Sequence, residues 1–240
     1  MTIEKIKQDP RLPKHIAFIV DGNGRWAQKR GLNRSMGHKQ GLETLEKQID
    51  FVSELGIKNL SLYCFSCENW KRPKEEVDFL LNDLFNKMLD DFRKNYISKD
   101  VRILFSGDLN DERLPASVRE KAKALMAETK HKTGFVINAC INYGGRQEIL
   151  KAVNELIKSG VKVVDEKEFT KHLYTADLYP LDLVIRTSGE QRTSNFLPWQ
   201  STYSEWIFPK KLFPSFTKKD LIKCIQKFMK RNRRFGGVKA

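Results

Sequence analysis

Long apolar runs are missing from this chain. Nowhere do apolar residues approach the roughly 20 in succession that a membrane-spanning helix requires, and the opening MTIEKIKQDPRLPKH lacks the apolar segment of a secretory signal. A cytoplasmic protein is expected. Internal repeats, low-complexity tracts and linkers rich in Gly, Ser or Pro are also absent, which argues against an array of modules and for one domain. Cysteine is sparse, with four in 240 residues. Cys64 and Cys67 have the C-x-x-C spacing of a redox pair or half a zinc site, but Cys140 and Cys224 stand alone and no second Cys or His pair follows at ligand spacing. Small side chains at a strand end, in a reducing compartment, are the expected reading. No Ser/His/Asp arrangement suggests acyl transfer. Acidic residues are in deficit, 30 against 44 Lys and Arg, so the net charge is +14 and an anionic partner is implied.

Hydrophobic residues make up 40% of the chain, enough for a sizeable core. Short apolar runs at 15–20, 59–65, 101–106, 134–141, 182–187 and 205–208 predict strands. Between them, Leu42, Leu45, Ile49 and Val52 recur at helical spacing, as do Val77, Leu80, Leu81, Leu84, Phe85 and Met88 after the start signal RPKEE. Ile149, Leu150, Val153 and Ile157 form a third stripe, and Leu221, Ile222, Ile225, Phe228 and Met229 a fourth. Alternating strands and helices predict an α/β domain over 15–229, with a mainly parallel sheet of about six strands covered by helices on both faces. Residues 1–14 are expected as an N-terminal tail and 230–240 as a basic C-terminal one. Ligands of such folds bind beyond the carboxyl ends of the strands, so the loops there carry the argument.

After the first strand comes DGNGRWA. Gly22, Gly24 and Ala27 fit a dinucleotide-binding turn, but the acidic residue that should end a second strand about 20 residues on is Glu43, inside a helical stripe. Asp21 would also repel a pyrophosphate unless a cation stood between them. A carboxylate plus a diphosphate is a common way to hold Mg²⁺, and the glycines then let backbone N–H groups approach the phosphates, with Arg25 adding charge. Further on, Arg34 and His38 stand four residues apart, on one face of a helix. The second strand opens into SCENWKRP, with Ser66, Asn69, Trp70 and Arg72 before Pro73 starts a helix. The fifth runs into RTSGEQRTSNF, where Arg186 and Arg192 offer forked guanidiniums beside Ser194, and Glu205 follows as a possible second carboxylate. This inventory suits a metal-bound diphosphate and a second phosphorylated ligand.

The stretches HIAFIVDGNGRWA, GHKQG, LYCFSCENWKRP, INYGGRQEI, DLVIRTSGEQRTSNFLPWQSTYSEW and RNRRFGG, in this order over nearly the whole chain, resemble the cis-prenyltransferase family, and its bacterial long-chain members in particular. The resemblance implies repeated addition of isopentenyl diphosphate to an allylic diphosphate, typically farnesyl diphosphate, with a cis double bond formed each time. Undecaprenyl diphosphate, the carrier precursor for cell-wall glycan, is the expected product. By motif, Asp21 would bind Mg²⁺ and assist the leaving diphosphate, with Glu205 as a second metal ligand. Gly22, Asn23, Gly24, Arg25, Arg34, His38 and Arg72 would hold the allylic diphosphate, and Arg186, Arg192 and Ser194 isopentenyl diphosphate. Trp26, Cys67, Glu68, Trp70 and Thr193 belong to the same motifs as substrate-binding residues. Asn69, with Ser66, is the family's candidate for assisting proton removal, although Asn is a poor base and a diphosphate oxygen serves equally well. The resemblance also implies a homodimer in which RRFGG reaches the neighbouring site, a peripheral contact with the membrane that receives the product, and an apolar tunnel beside the Val77–Met88 stripe. Cys64 sits where the family usually carries a small residue by that tunnel, while Phe79 and Asp83 are bulkier or more polar than in some relatives, so a cis-prenyltransferase of different product length is the alternative.

Three other readings compete. A nucleic-acid-binding module would use the basic segment KKDLIKCIQKFMKRNRRFGGVKA, but its lysines alternate with an apolar stripe and fit the solvated face of a packed helix; no nucleic acid is expected. A trans-type prenyl synthase would need D-D-x-x-D, and DDFRK places Lys94 at the fifth position. A non-catalytic partner subunit disagrees with the intact DGNGRW and RTSGEQRTSNF.

Overall fold

The computed structural model describes residues 2–234, 236 and 237. Six strands, β1 (His15–Ile19), β2 (Asn59–Ser66), β3 (Val101–Ser106), β4 (Phe135–Tyr143), β5 (Leu183–Arg186) and β6 (Glu205–Ile207), form one sheet in the order β3-β4-β2-β1-β5-β6. Every adjacent pair is parallel. All six lie where the apolar runs predict them. Parallel strands are covered on both faces and therefore read as continuous apolar runs, and β1 and β4 are buried along their whole length.

The helices are α1 (Ile3–Lys7), α2 (Asn23–Gln28), α3 (Arg34–Glu54), α4 (Lys74–Asp78), α5 (Asn86–Tyr96), α6 (Ala116–Thr129), α7 (Gly145–Lys158), α8 (Glu166–Lys171) and α9 (Lys218–Met229). Pro73 caps α4, and a π-helical stretch, Phe79–Phe85, continues it into α5. Successive strand residues point to opposite faces, which sorts the core into layers. Ile16, Phe18, Leu60, Leu62 and Ile137 face the larger layer, packed with Leu42, Leu45, Ile49 and Val52 of α3, the Val77–Met88 stripe and α9. Each such side chain contributes about 1.5–3 kcal/mol relative to exposure. Ala17, Ile19, Cys140 and Val184 face a smaller layer closed by Phe196 and Leu197 of the loop after β5.

Two expectations need correction. Residues 1–14 are not simply a tail: Thr2 caps α1, and Ile6 is fully buried in the main core, because an apolar side chain within reach of that core gains more by docking than by staying solvated. The third stripe does not face inward either. α7 packs through Ala152 and Leu156, leaving Leu150 61% and Ile157 69% exposed. In α9, by contrast, Leu221, Ile225, Phe228 and Met229 are buried while Lys219, Lys223 and Lys227 face outward, as their spacing predicts. Within the expected C-terminal segment, Phe235 and 238–240 lie outside the described residues, and so does the call that RRFGG reaches a neighbouring subunit. Among the described residues, no helix is long and apolar enough to cross a membrane.

Candidate active site

β2 lies on one side of β1 and β5 on the other, so the connections leaving β1 and β5 diverge and open a crevice beyond their carboxyl ends. Ile19 is in register with Arg186, and Asp21 follows directly. Arg186 donates from Nη2 to Asp21 Oδ2 at 2.9 Å, and Arg25 from Nη2 to Asp21 Oδ1 at 3.2 Å. Burial alone would raise the Asp21 carboxyl, but the hydrogen bond and charge of Arg186, with Arg25 second, outweigh it and hold the group below the ordinary carboxylate value. Asp21 is therefore ionised.

Arg186 is 4% exposed. Its Nη1 donates to the Arg192 carbonyl at 2.6 Å and to Ser194 Oγ at 2.7 Å. The loop that supplies these acceptors holds Ser188, Ser194, Asn195 and Leu197 at φ values of 76°, 49°, 62° and 47°. Such left-handed residues cost on the order of 1–3 kcal/mol each and persist where their surroundings fix them. Here the Asn195 carbonyl accepts from Gly145 N at 2.8 Å, its Oδ1 accepts from Arg146 N at 2.9 Å, and Tyr63 donates to the Ser194 carbonyl at 3.0 Å. Arg25 closes the loop on the other side, reaching Ser188 Oγ at 2.6 Å and Glu190 Oε1 at 2.8 Å, while Arg192 takes the second oxygen of Glu190.

Across the crevice the glycines of the first loop make room. Gly22, at φ 105°, caps α2, and a Cβ there would stand 2.8 Å from Leu212 Cδ2. A Cβ on Gly24 would meet Arg34 Nη1 at 2.7 Å, so the Arg34 guanidinium lies directly against the loop. Arg34 and His38, one turn apart on α3, both approach Glu76 of α4, at 3.1 Å from Nε and 3.4 Å from Nε2, and Arg72 reaches the same carboxylate at 3.1 Å. Burial, followed by the charges of Arg72 and Arg34, outweighs Glu76 and pushes His38 down to about 4, so the imidazole is neutral near pH 7. Its contact with Glu76 is then no ion pair.

The turn after β2 is a 3₁₀ helix, Cys67–Lys71, entered from Ser66. Asn69 Oδ1 accepts the Ser66 N–H at 3.1 Å. Cys67 donates to the Asn142 carbonyl at 3.4 Å and Trp70 Nε1 to Asn142 Oδ1 at 2.8 Å, while Glu68 Oε1 accepts from Asn195 Nδ2 at 2.9 Å. The turn is thus tied to β4 and to the β5 loop. Cys64 and Cys67 are both free thiols, and burial pushes Cys64 up to about 12. Trp26 and Thr193 are less central: the indole donates to Ser215 Oγ at 2.8 Å under Arg30, and Thr193 supplies its carbonyl to Phe196 N at 3.1 Å.

Glu205 is not drawn to Asp21. It is level with Leu183, three residues before Arg186 and hence about 10 Å short of it along the strand, and its carboxylate faces Arg231 Nε at 3.7 Å. Sequence reasoning missed Glu76, Asn142, Ser188 and Glu190. A signal existed for Glu76, four residues after Arg72 at a helix start. None existed for Asn142, whose role depends on a left-handed backbone at φ 50°.

The site suits a hard divalent cation of the Mg²⁺ type together with a phosphorylated ligand. Among the described residues, no three His, Cys, Asp or Glu side chains cluster as a metal cage, so a cation here would take Asp21 and ligand oxygens. Asn23 Oδ1, His38 Nε2 and Arg186 Nε are buried without a hydrogen-bond partner, which leaves unspent polar capacity at the crevice. Each site arginine meanwhile leans on a carboxylate, Asp21, Glu76 or Glu190, that an incoming polyanion could replace.

The family model described as putative undecaprenyl diphosphate synthase matches residues 19–236. An isoprenyl transferase from Fusobacterium nucleatum is 46% identical, with 96% of this chain and 99% of that one covered. The farnesyl-diphosphate-specific ditrans,polycis-undecaprenyl-diphosphate synthase of Micrococcus luteus is 42% identical, with 95% and 93% covered. The crystal structure of lavandulyl diphosphate synthase from Lavandula x intermedia, bound to dimethylallyl diphosphate, superposes with a TM-score of 0.86 at 32% identity over 95% of this chain and all of that one.

Proposed function

Because the chain belongs to the cis-prenyltransferase family of undecaprenyl diphosphate synthases, we propose that the crevice between β1 and β5 joins isopentenyl diphosphate repeatedly to an allylic primer, farnesyl diphosphate, yielding undecaprenyl diphosphate. The observation that carries this reading is Arg186, buried at 4% exposure and forked between Asp21 and Ser194 at the switch point of the sheet.

Arg34, His38, Arg72, Asn23 and the backbone N–H groups from Gly22 to Arg25 hold the allylic diphosphate, displacing Glu76. Neutral His38 donates a hydrogen bond without needing a proton from solvent. Arg186, Arg192 and Ser194 hold isopentenyl diphosphate, whose charge replaces Glu190. The C1–O bond of the primer breaks with its electron pair leaving on the diphosphate, the terminal alkene carbon of isopentenyl diphosphate bonds to C1, and a proton departs to complete the new double bond. Negative charge grows on the leaving group, so fixed guanidiniums stabilise the transition state more than the ground state. Mg²⁺, held by Asp21, would supply Lewis-acid assistance to that departure. Asn69 Oδ1 is engaged by the Ser66 N–H, which favours a diphosphate oxygen as proton acceptor and leaves Asn69 to position the turn. Glu205 serves the metal only after parting from Arg231.

The exposed Leu150 and Ile157 of α7 support a homodimer, and the outward lysines of α9 support a peripheral contact with anionic lipid in the cytoplasm. The reading is tested by incorporation of labelled isopentenyl diphosphate onto farnesyl diphosphate by the purified protein with Mg²⁺; no incorporation would overturn it.

A further inference from the structure

The ladder between β2 and β4 steps over Asn142: Ile141 is in register with Phe65, and Tyr143 with Ser66. This bulge falls opposite the end of β2, where the Cys67–Lys71 turn begins, and it holds the buried Asn142 at φ 50°. A bulge beside a site re-aims a side chain. Here the re-aimed amide is fully committed. Its Oδ1 accepts from Trp70 Nε1 at 2.8 Å, and its Nδ2 donates to Asp111 Oδ2 at 3.0 Å and to the Asp108 carbonyl at 3.1 Å. An indole N–H can only donate. The hydrogen bond from Arg113 holds the Asp111 carboxyl down to about 2, so that carboxylate can only accept. An amide satisfies both sides at once, whereas an aspartate at 142 would turn a second negative charge on Asp111.

The Asn142 carbonyl meanwhile accepts from Cys67 Sγ at 3.4 Å and from Asp108 N at 3.3 Å. One residue thereby joins the turn after β2 to the loop that leaves β3. That loop returns a second hold on the same indole. Arg113 Nε reaches Asp111 Oδ1 at 3.0 Å, and its guanidinium carbon lies 4.7 Å from the Trp70 ring centre. Phe65 meets the ring nearly at a right angle, with centroids 5.1 Å apart. Trp70 is thus fixed at its nitrogen and against its ring. Asn69 precedes it directly, and Arg72, two residues on, faces the Glu76 carboxylate shared with Arg34 and His38.

We propose that Asn142, with Asp111 and Arg113, is a clamp that orients Trp70 and so positions the segment from Asn69 to Arg72 for prenyl transfer. This rests on the proposed prenyl-transfer activity, and it brings the loop after β3 into a site otherwise built after β1, β2 and β5. Asn142 is a positioning residue that acts through the indole. Displacing an aligning group by about 1 Å costs up to about 10²-fold in rate, so the clamp acts on turnover. Isopentenyl diphosphate, held by Arg186, Arg192 and Ser194, binds as before.

Initial rates with farnesyl diphosphate, isopentenyl diphosphate and Mg²⁺ are compared for Asn142→Gly, Arg113→Ala, Trp70→Leu and the two double variants with Trp70→Leu, each well below its Tm. Glycine accepts the left-handed backbone and removes only the amide. Asn142→Gly lowers kcat by about tenfold or more, with the KM for isopentenyl diphosphate within about threefold of wild type. Trp70→Leu removes both holds at once, so adding Asn142→Gly to it costs less than about threefold more in kcat. A purely structural Asn142 would instead lower Tm and leave kcat unchanged, or multiply the loss from Trp70→Leu, and either result overturns the clamp. Arg113 is exposed, so Arg113→Ala folds even where Asn142→Gly does not. It lowers kcat by about threefold or more in the wild-type background and not in Trp70→Leu; equal effects in both backgrounds, or no effect in either, overturn the proposal. If the wild type incorporates no isopentenyl diphosphate, the proposed activity and this inference fall together; with an active wild type, the results just named overturn this inference alone.

Discussion

Replacing Asp21 with Asn separates what its charge does for the fold from what it does for chemistry. In the fold, Asp21 accepts from Arg186 at 2.9 Å and from Arg25 at 3.2 Å, and its side chain is 26% exposed. Asn retains one acceptor oxygen, and Arg186 keeps its bonds to the Arg192 carbonyl and Ser194 Oγ. The cost is thus at the low end of the range for a charge-assisted hydrogen bond, about 1–2 kcal/mol, or a Tm lower by about 2–8 °C for a chain of this size. On the proposed mechanism catalysis loses far more, because the carboxylate proposed to anchor the cation is gone. About 4 kcal/mol of transition-state stabilisation corresponds to a fall of about 10³ in turnover. Urea unfolding and steady-state incorporation of isopentenyl diphosphate at saturating Mg²⁺ measure the two quantities on the same preparation. Turnover within tenfold of wild type would refute the metal role of Asp21. A collapse of stability by more than about 4 kcal/mol would show that the carboxylate is mainly structural.

Gly24→Ala places a methyl group 2.7 Å from Arg34 Nη1, the far end of a flexible side chain, so the fold tolerates it while the guanidinium moves. The KM for the allylic diphosphate then rises roughly tenfold with stability nearly unchanged; an unaltered KM in initial-rate assays would remove Arg34 from that subsite. His15, buried with Nδ1 on the Tyr179 carbonyl at 2.7 Å and Nε2 on Ser61 Oγ at 2.8 Å, is pushed down to about 4 by burial. The unfolded chain therefore binds more protons between pH 6.5 and 4, and stability present above pH 6.5 is lost as pH falls toward 4, by about 3 kcal/mol. Denaturation of His15→Gln at pH 7 and pH 4.5 should show a shallower loss than wild type, and an equal loss would contradict the assignment. Leu150→Glu with Ile157→Glu places charges on the open face of α7. If α7 carries the proposed homodimer interface, sedimentation finds a dimer for the wild type and a monomer for the variant; a variant that stays dimeric places the interface elsewhere.

Much of the fold was legible because a parallel sheet buries its strands on both faces, so each strand is a short apolar run with a polar loop at its carboxyl end. The grouping of Asp21, Arg72, Arg186 and Ser194 at strand ends was legible because polar groups crowded after a strand exceed what a turn needs, and that of Arg34 with His38 because they stand one turn apart on α3. Glu76 was harder, since a glutamate at a helix start is ordinary until Arg34 and His38 arrive from another helix. Asn142 and the left-handed run from Ser188 to Leu197 were not legible, because φ is decided by tertiary contacts such as Gly145 N on the Asn195 carbonyl. The α7 stripe misled by direction. Periodicity says that Leu150, Val153 and Ile157 share a face, and only the fold says that this face looks outward. The π turn at Phe79–Phe85 left no mark in an unbroken helical pattern.

The most direct test of prenyl transfer at the β1–β5 crevice is the structure of the product formed by the purified protein from farnesyl diphosphate, isopentenyl diphosphate and Mg²⁺, read by mass spectrometry for length and NMR for double-bond geometry. A polyprenyl diphosphate of undecaprenyl length, with every newly formed double bond cis, is the predicted result. A product with trans bonds at the added units, or substrates recovered unchanged, would contradict it.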